Sequence, residues 1–204
     1  MQPHRKQIRH FHEPGDFHEL TFSCHERSPL LMHDEWRRLL CQAIDRAISA
    51  HEFALVAFVL MPEHVHLLVF PRNQTAQALA AQSRRQWHPI PSGVDSSQSI
   101  LKRISRLLAD IKRAFSGRIK KILVAERNPL LSRLTVTERP GKEVFRFWQE
   151  GPGYDRNLSS QKTVLVAIDY IHLNPVRRGL IARSVDWKWS SARWYASDGK
   201  EQPP

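Results

Sequence analysis

The sequence predicts an α+β domain, a ferredoxin-like antiparallel sheet with helices packed on one side, extended by a loop insertion and a C-terminal tail. Three observations carry this expectation. An unbroken apolar run, Phe53 to Leu60, is followed by a second strand-forming run, His64 to Phe70, and Pro62-Glu63 supplies the turn between them. Before them, Phe17 to Cys24 alternates, with Leu20, Phe22 and Cys24 set against Glu19, Thr21 and Ser23. Between them, Leu40, Ala43, Ile44 and Ala47 recur at helical spacing, with Asp34 placed to cap the helix and Ser49-Ala50 near its end. Strand, helix, strand, strand is the opening of a split β-α-β unit.

Further along, Thr75 to Arg85 has the makings of a short helix inside an insertion spanning 73–99, where Pro89, Pro91, Gly93 and a Ser/Gln run break the pattern. A strong helical stripe then runs through Ile100, Ile104, Leu107, Leu108, Ile111 and Phe115. Gly117 is expected to end it, and Ile119 to Val124 to form a brief strand. Val144 to Gln149 reads as another strand, closed by Gly151-Pro152-Gly153. A last helix is capped by Ser159 or Ser160, buries Val164, Leu165, Ile168 and Ile171, and is ended or bent by Pro175. The domain organisation follows: a flexible basic arm over 1–15, one domain over 16–195, and a disordered tail over 196–204.

Charge narrows the function. The 204 residues carry 31 Lys and Arg against 20 Asp and Glu, a net +11, which favours a polyanionic partner such as nucleic acid. Lys102, Arg103, Arg106 and Arg113 lie largely opposite the apolar stripe of the long helix, and Arg118, Lys120 and Lys121 continue the run. Such a face can follow a phosphate backbone, and these seven are the candidate DNA-binding residues. Two cysteines and no leading hydrophobic segment argue against a disulfide framework and for a cytoplasmic protein. The longest apolar run is too short to span a bilayer, so no membrane partner is expected.

The candidate chemistry is concentrated in two stretches. In Met61-Pro62-Glu63-His64-Val65-His66-Leu67-Leu68-Val69, two histidines two residues apart on a strand share one face, where a single cation can sit between them. In Asp169-Tyr170-Ile171-His172-Leu173-Asn174-Pro175, Tyr170 and Asn174 are one turn apart on a helix. Trp187, Trp189 and Trp194 offer surfaces for stacking on unpaired bases, with burial as the competing role.

These two segments resemble the HUH single-strand transposases, and within them the REP-associated tyrosine transposases. Phe147-Trp148-Gln149-Glu150-Gly151, the stretch from Phe22 to Leu31 and Trp187 to Arg193 are similar to the same family. The resemblance implies His64 and His66 as ligands of Mg²⁺ or Mn²⁺, and Tyr170 as a nucleophile that attacks single-stranded or hairpin DNA through a reversible 5′-phosphotyrosine link. Tyr154 and Tyr195 are competing tyrosines. Two imidazoles do not complete the shell of such an ion, and Asn174 and Glu63 are the candidate third ligands. A phenol, with an ordinary pKa of about 10, needs help in losing its proton. Two other readings stay open: a catalytically inactive nucleic-acid-binding module, and a metal-dependent phosphodiester hydrolase. The oligomeric state stays open between monomer and homodimer.

Overall fold

The computed structural model describes residues 16–72, 97–151 and 153–203. The basic arm over 1–15, the expected helix over 75–85 and most of the insertion lie outside them. Four strands, β1 (Phe17–Ser23), β2 (Phe53–Leu60), β3 (His64–Pro71) and β6 (Tyr154–Leu158), form one antiparallel sheet in the order β2-β3-β1-β6. This is the α+β, ferredoxin-like sheet that the element order predicts.

The two-residue period of β1 and β3 gives the sheet two different faces. Leu20, Phe22, Val65, Leu67 and Val69 point to one side, where α1 (Asp34–Ala50) and α2 (Ser97–Ala125) bury Leu40, Ile44, Leu107 and Ile111 against them. These are the helices expected on one side. The other side carries α4 (Gln161–Arg177), whose Val164, Ala167, Ile168 and Ile171 cover Ala57, Val59, Met61 and Leu68. The α4 layer lies over the β2-β3 end, so much of the β1 surface on that side is left open.

Several local expectations need correction. Gly117 does not end the long helix, and Ile119 to Val124 is not a strand: α2 continues to Ala125. The cause is packing. A helical glycine costs about 1 kcal/mol relative to alanine, whereas burying an isoleucine or leucine returns about 1.5–3 kcal/mol each. Ile119 and Leu123 extend the same stripe and are fully buried. The strand expected over Val144–Gln149 divides instead. Its first part joins a two-stranded hairpin, β4 (Thr135–Arg139) with β5 (Lys142–Phe145), that follows the one-turn helix α3 (Leu130–Arg133). Its second part turns Phe147 into the core against Phe115 and Trp36, while Trp148 bridges to Cys24 at the end of β1. Nor is Asp34 the cap of α1. His33 holds that position without a side-chain bond, and Asp34 accepts a hydrogen bond from the Trp189 indole at 2.8 Å and pairs with Lys188.

The C-terminal segment closes the β2 edge. Leu60 N–H donates to the Trp189 carbonyl, Ser191 N–H to the Phe58 carbonyl, and Val59 bridges to Ser190. Trp189 is buried and the Trp187 indole donates to the Leu60 carbonyl, so both tryptophans support the fold; Trp194 is exposed. A short helix, α5 (Ala192–Ala196), follows, and Gly199 N–H turns back to the Trp194 carbonyl within the stretch predicted as a tail. Among the described residues, no helix is long and apolar enough to cross a membrane.

A Cβ added at Gly117 meets no atom within 4 Å. Gly117→Ala is therefore expected to stabilise the protein by about 0.5–1 kcal/mol, read as a higher midpoint in a denaturant titration. A lower midpoint would contradict an uninterrupted α2.

Candidate active site

The open face is organised by register. Thr21 sits opposite His66 on one side and Tyr154 on the other, Ser23 opposite His64, and Glu19 opposite Arg156. A row of polar side chains therefore crosses three strands beside α4. Backbone spacing is tightest where β6 enters: a Cβ at Gly153 would lie 2.4 Å from the Thr21 carbonyl oxygen. Only glycine lets the chain come that close.

His64 and His66 share this face as the alternation requires, with ring centroids 4.8 Å apart. Thr21 Oγ1 lies 2.8 Å from His66 Nδ1, and Asn174 Nδ2 lies 3.2 Å from His66 Nε2. With the amide donating to Nε2, the proton of the neutral ring is on Nδ1 and is given to Thr21. His64 Nδ1 lies 3.2 Å from Glu63 Oε1. A carboxylate accepts only, so this nitrogen too carries the proton and Nε2 keeps its lone pair. Burial, reinforced by the neighbouring His64, holds His66 down at about 3. Burial also lowers His64, opposed in part by Glu63. Both imidazoles are held in the neutral, ligating form.

The helix α4 brings the rest. Ser160 caps it by accepting from Thr163 N–H at 3.2 Å. Pro175 does not terminate it. The helix ends at Gly179, φ +68°, with Leu180 N–H donating to the Pro175 carbonyl and Gly179 N–H to the Val176 carbonyl. This is a Schellman closure, which needs a left-handed residue at that point. The extra turn carries two cations to the site: Arg177 lies over the Tyr170 ring at 5.1 Å, and Arg178 pairs with Glu63. Tyr170 meets His66 edge to face, with centroids 5.5 Å apart, and is 38% exposed. His64, His66, Tyr170, Arg27 and Arg178 line a cleft of about 520 Å³.

The expected site residues thus divide into two groups. Tyr170, His64, His66, Asn174 and Glu63 come together. Lys102, Arg103, Arg106, Arg113, Arg118, Lys120 and Lys121 do not join them, because α2 packs on the opposite face of the sheet. Within that second group, Arg103 donates to the His51 carbonyl and covers Phe53, while Arg113 lies 3.4 Å from Asp110. Of the competing tyrosines, Tyr195 donates to the Val56 carbonyl, whereas Tyr154 faces the open row. Sequence reasoning missed Thr21, Arg177 and Arg178. Thr21 was legible as part of the polar half of β1; the arginines were hidden by taking Pro175 as the helix end.

Among solved structures, this architecture matches a REP-associated tyrosine transposase bound to a REP hairpin. The TM-score is 0.61 over 97% of this chain and 89% of that one, at 18% sequence identity. The chain has the fold of a REP-associated tyrosine transposase. A candidate transposase from Deinococcus radiodurans matches this chain with a TM-score of 0.39 at 19% identity, covering 84% of this chain and 95% of that one. No protein-family model and no curated protein matches the sequence.

The far side of α4 is anchored by His172, whose Nε2 is 2.8 Å from Ser191 Oγ. Burial pushes this imidazole down to about 4 from an ordinary 6.5. The unfolded chain takes up the proton first, so stability is whole above about pH 6.5 and is lost as pH falls toward 4. One such group contributes a slope of about 1.4 kcal/mol per pH unit. His172→Gln is expected to flatten the stability-pH curve by about this amount in that window, measured by urea unfolding at a series of pH values; an unchanged slope would mean that the ring is not kept neutral.

Proposed function

We propose that this chain is an HUH-type tyrosine transposase that cleaves and rejoins single-stranded DNA beside palindromic repeat hairpins, through a covalent 5′-phosphotyrosine intermediate. The observation that supports this best is the convergence of His64 and His66 from β3 with Tyr170 from α4 on one cleft, the Tyr170 ring edge to face with His66 at 5.5 Å. The hairpin partner is suggested by the transposase of the same fold, which was solved bound to a REP hairpin.

The donor set fits Mg²⁺ or Mn²⁺. Among the described residues, no three His, Cys, Asp or Glu side chains gather to hold a metal, and we assign the third protein donor to the amide of Asn174, which lies 3.2 Å from His66. His64 and His66 would hold the ion with it, their Nδ1 protons engaged by Glu63 and Thr21; the Nε2 lone pair of His64 is available, and that of His66 would be released once the Asn174 amide turned its oxygen in place of its nitrogen. Glu63 orients His64 and pairs with Arg178, which makes it a support and not a ligand. When bound, the ion would neutralise charge growing on a nonbridging phosphate oxygen.

The remaining work belongs to the side chains. Tyr170 Oη gives up its proton to water and attacks phosphorus, the new P–O bond forms as the bond to the 3′ oxygen breaks, and the 3′ oxygen takes up a proton from water, so the step is proton-neutral overall. In rejoining, the 3′ hydroxyl attacks the phosphotyrosine and the phenolic oxygen leaves; bond energy is kept, so no ATP is needed. Arg177 places positive charge over the ring on which phenolate charge spreads. Arg27 and Arg178 line the cleft where the DNA backbone enters. The exposed cations Lys102, Arg106, Arg118, Lys120 and Lys121 of α2, on the other face, would meet a hairpin stem that wraps the domain.

Two outcomes test this. End-labelled hairpin DNA from repeats flanking the gene, incubated with Mn²⁺ or Mg²⁺, is expected to give a covalent protein-DNA band on a denaturing gel that disappears in Tyr170→Phe. Cleavage without an adduct would indicate a hydrolase using water, and binding without cleavage an inactive DNA-binding module. Separately, Thr21→Val is expected to weaken Mn²⁺ binding by about tenfold or more, measured by calorimetry on the DNA-free protein, while Thr21→Ser retains it. Equal affinity in all three proteins would remove Thr21 from the support of His66.

A further inference from the structure

A second cavity, of about 330 Å³, opens on the β6 side of Tyr170 and is separate from the arginine-lined half of the cleft. That volume is in the range of a small-ligand site. Its floor is the cross-strand pair Glu19 and Arg156, with Arg156 Nε 3.5 Å from Glu19 Oε2. Thr21 and Tyr170 border the side nearest His66, and Tyr154 and Val166 border the rest. Both of these last two are exposed, at 45% and 56%, so an aromatic and a branched apolar side chain stand open beside a polar floor.

We propose that this cavity is a base pocket that receives a guanine adjoining the scissile phosphate, with Glu19 and Arg156 reading its Watson-Crick edge. The inference rests on the single-strand cleavage reading for what lies in the cleft, and it adds a specificity to that site. Four physical points select the ligand. The pocket shares Tyr170 and His66 with the cleft, so a nucleotide whose phosphate lies at Tyr170 has its base within reach. Flat apolar surface beside a polar floor suits a nucleobase, which stacks through its face and bonds through its edge. Glu19 offers two acceptor oxygens, and guanine has two adjacent N–H donors, at N1 and N2, with its O6 acceptor beside them for Arg156. Adenine, thymine and cytosine each have one donor group on that edge, so they leave one carboxylate oxygen unmatched.

The state of Glu19 agrees with this. It is only 5% exposed, and burial raises its pKa against the opposing pull of Arg156. A buried carboxylate with one cationic neighbour gains from further N–H donors, and a base edge would supply them. If the pair were merely structural, its loss would lower stability without changing which base is preferred.

The test is fluorescence anisotropy in the Tyr170→Phe background, with short oligonucleotides that differ only in the bases flanking the cleavage position. Guanine at one of those positions is expected to bind about tenfold more tightly than adenine, cytosine or thymine, and inosine, which lacks the N2 amine, to fall between. Glu19→Gln should abolish the preference. Arg156→Gln, at a half-exposed position, should reduce it even if the Glu19 variant folds poorly. Equal affinity for all bases, or a guanine preference untouched by both substitutions, would overturn the pocket. A covalent Tyr170 adduct in the unsubstituted protein without base preference would overturn the pocket alone. A preference that needs Glu19 in a protein that never forms an adduct would support the pocket and remove the nuclease reading.

Discussion

The pairing of β1 between β3 and β6 is the constraint on which the rest depends. Side chains alternate along a strand, so this one register determines both what enters the core and what faces α4. Slipping β1 by a single residue would put Leu20 and Phe22 on the open face and send Thr21 into the helix layer. The hydrophobic side resists that slip, since Leu20, Phe22, Leu67 and Val69 are all buried against α1 and α2. The row of polar groups on the other side is thus held in place by apolar burial it takes no part in. Gly153 adds a second lock, because no other residue allows β6 to approach the Thr21 carbonyl so closely.

Local polar contacts then convert a position into a chemical state. A histidine on a strand has two tautomers and freedom about its side-chain bonds. His66 is fixed from both ends, by Thr21 and Asn174, and His64 from one, by Glu63. Burial disfavours the charged form of both rings, in His64 against the pull of Glu63. Arg178 in turn balances the Glu63 charge, so the carboxylate beside the histidines is not left without a cation. Two of these links, Asn174 to His66 and Arg178 to Glu63, join the β2-β3 hairpin to α4 and its C-terminal end, and they align a helix that touches the sheet through a small apolar patch.

Most of the fold was legible because its periods are unambiguous. The β2-β3 hairpin, the first strand and the stripe of α1 each repeat with one clear spacing, and the sequence places them within a residue or two. Where two signals competed, the local one misled. Gly117 is a poor helix residue, yet Ile119 and Leu123 complete a buried stripe; Pro175 lacks an amide proton, yet the helix runs on to a glycine four residues later. β6 was not legible at all, since Tyr154 to Leu158 shows little apolar alternation and owes its strand to pairing with β1. For the site, the motif residues were visible and their convergence was not. The cations behaved oppositely: charge along α2 was conspicuous, while Arg27, Arg156, Arg177 and Arg178 reach the open face from a loop, a strand and a helix end that no linear stripe connects.

The separation of faces also bears on how such a chain can diverge. Core residues on the α1-α2 side lie across the sheet from the polar row, so they can be exchanged for others of similar volume provided the register survives. On the mechanism proposed above, the residues that must be kept are few and scattered: two histidines, a threonine, a tyrosine, an asparagine and two glycines. A match of overall shape at 18% identity is what such an arrangement permits. Lineages built on it can lose almost all resemblance along the chain while remaining superposable in space.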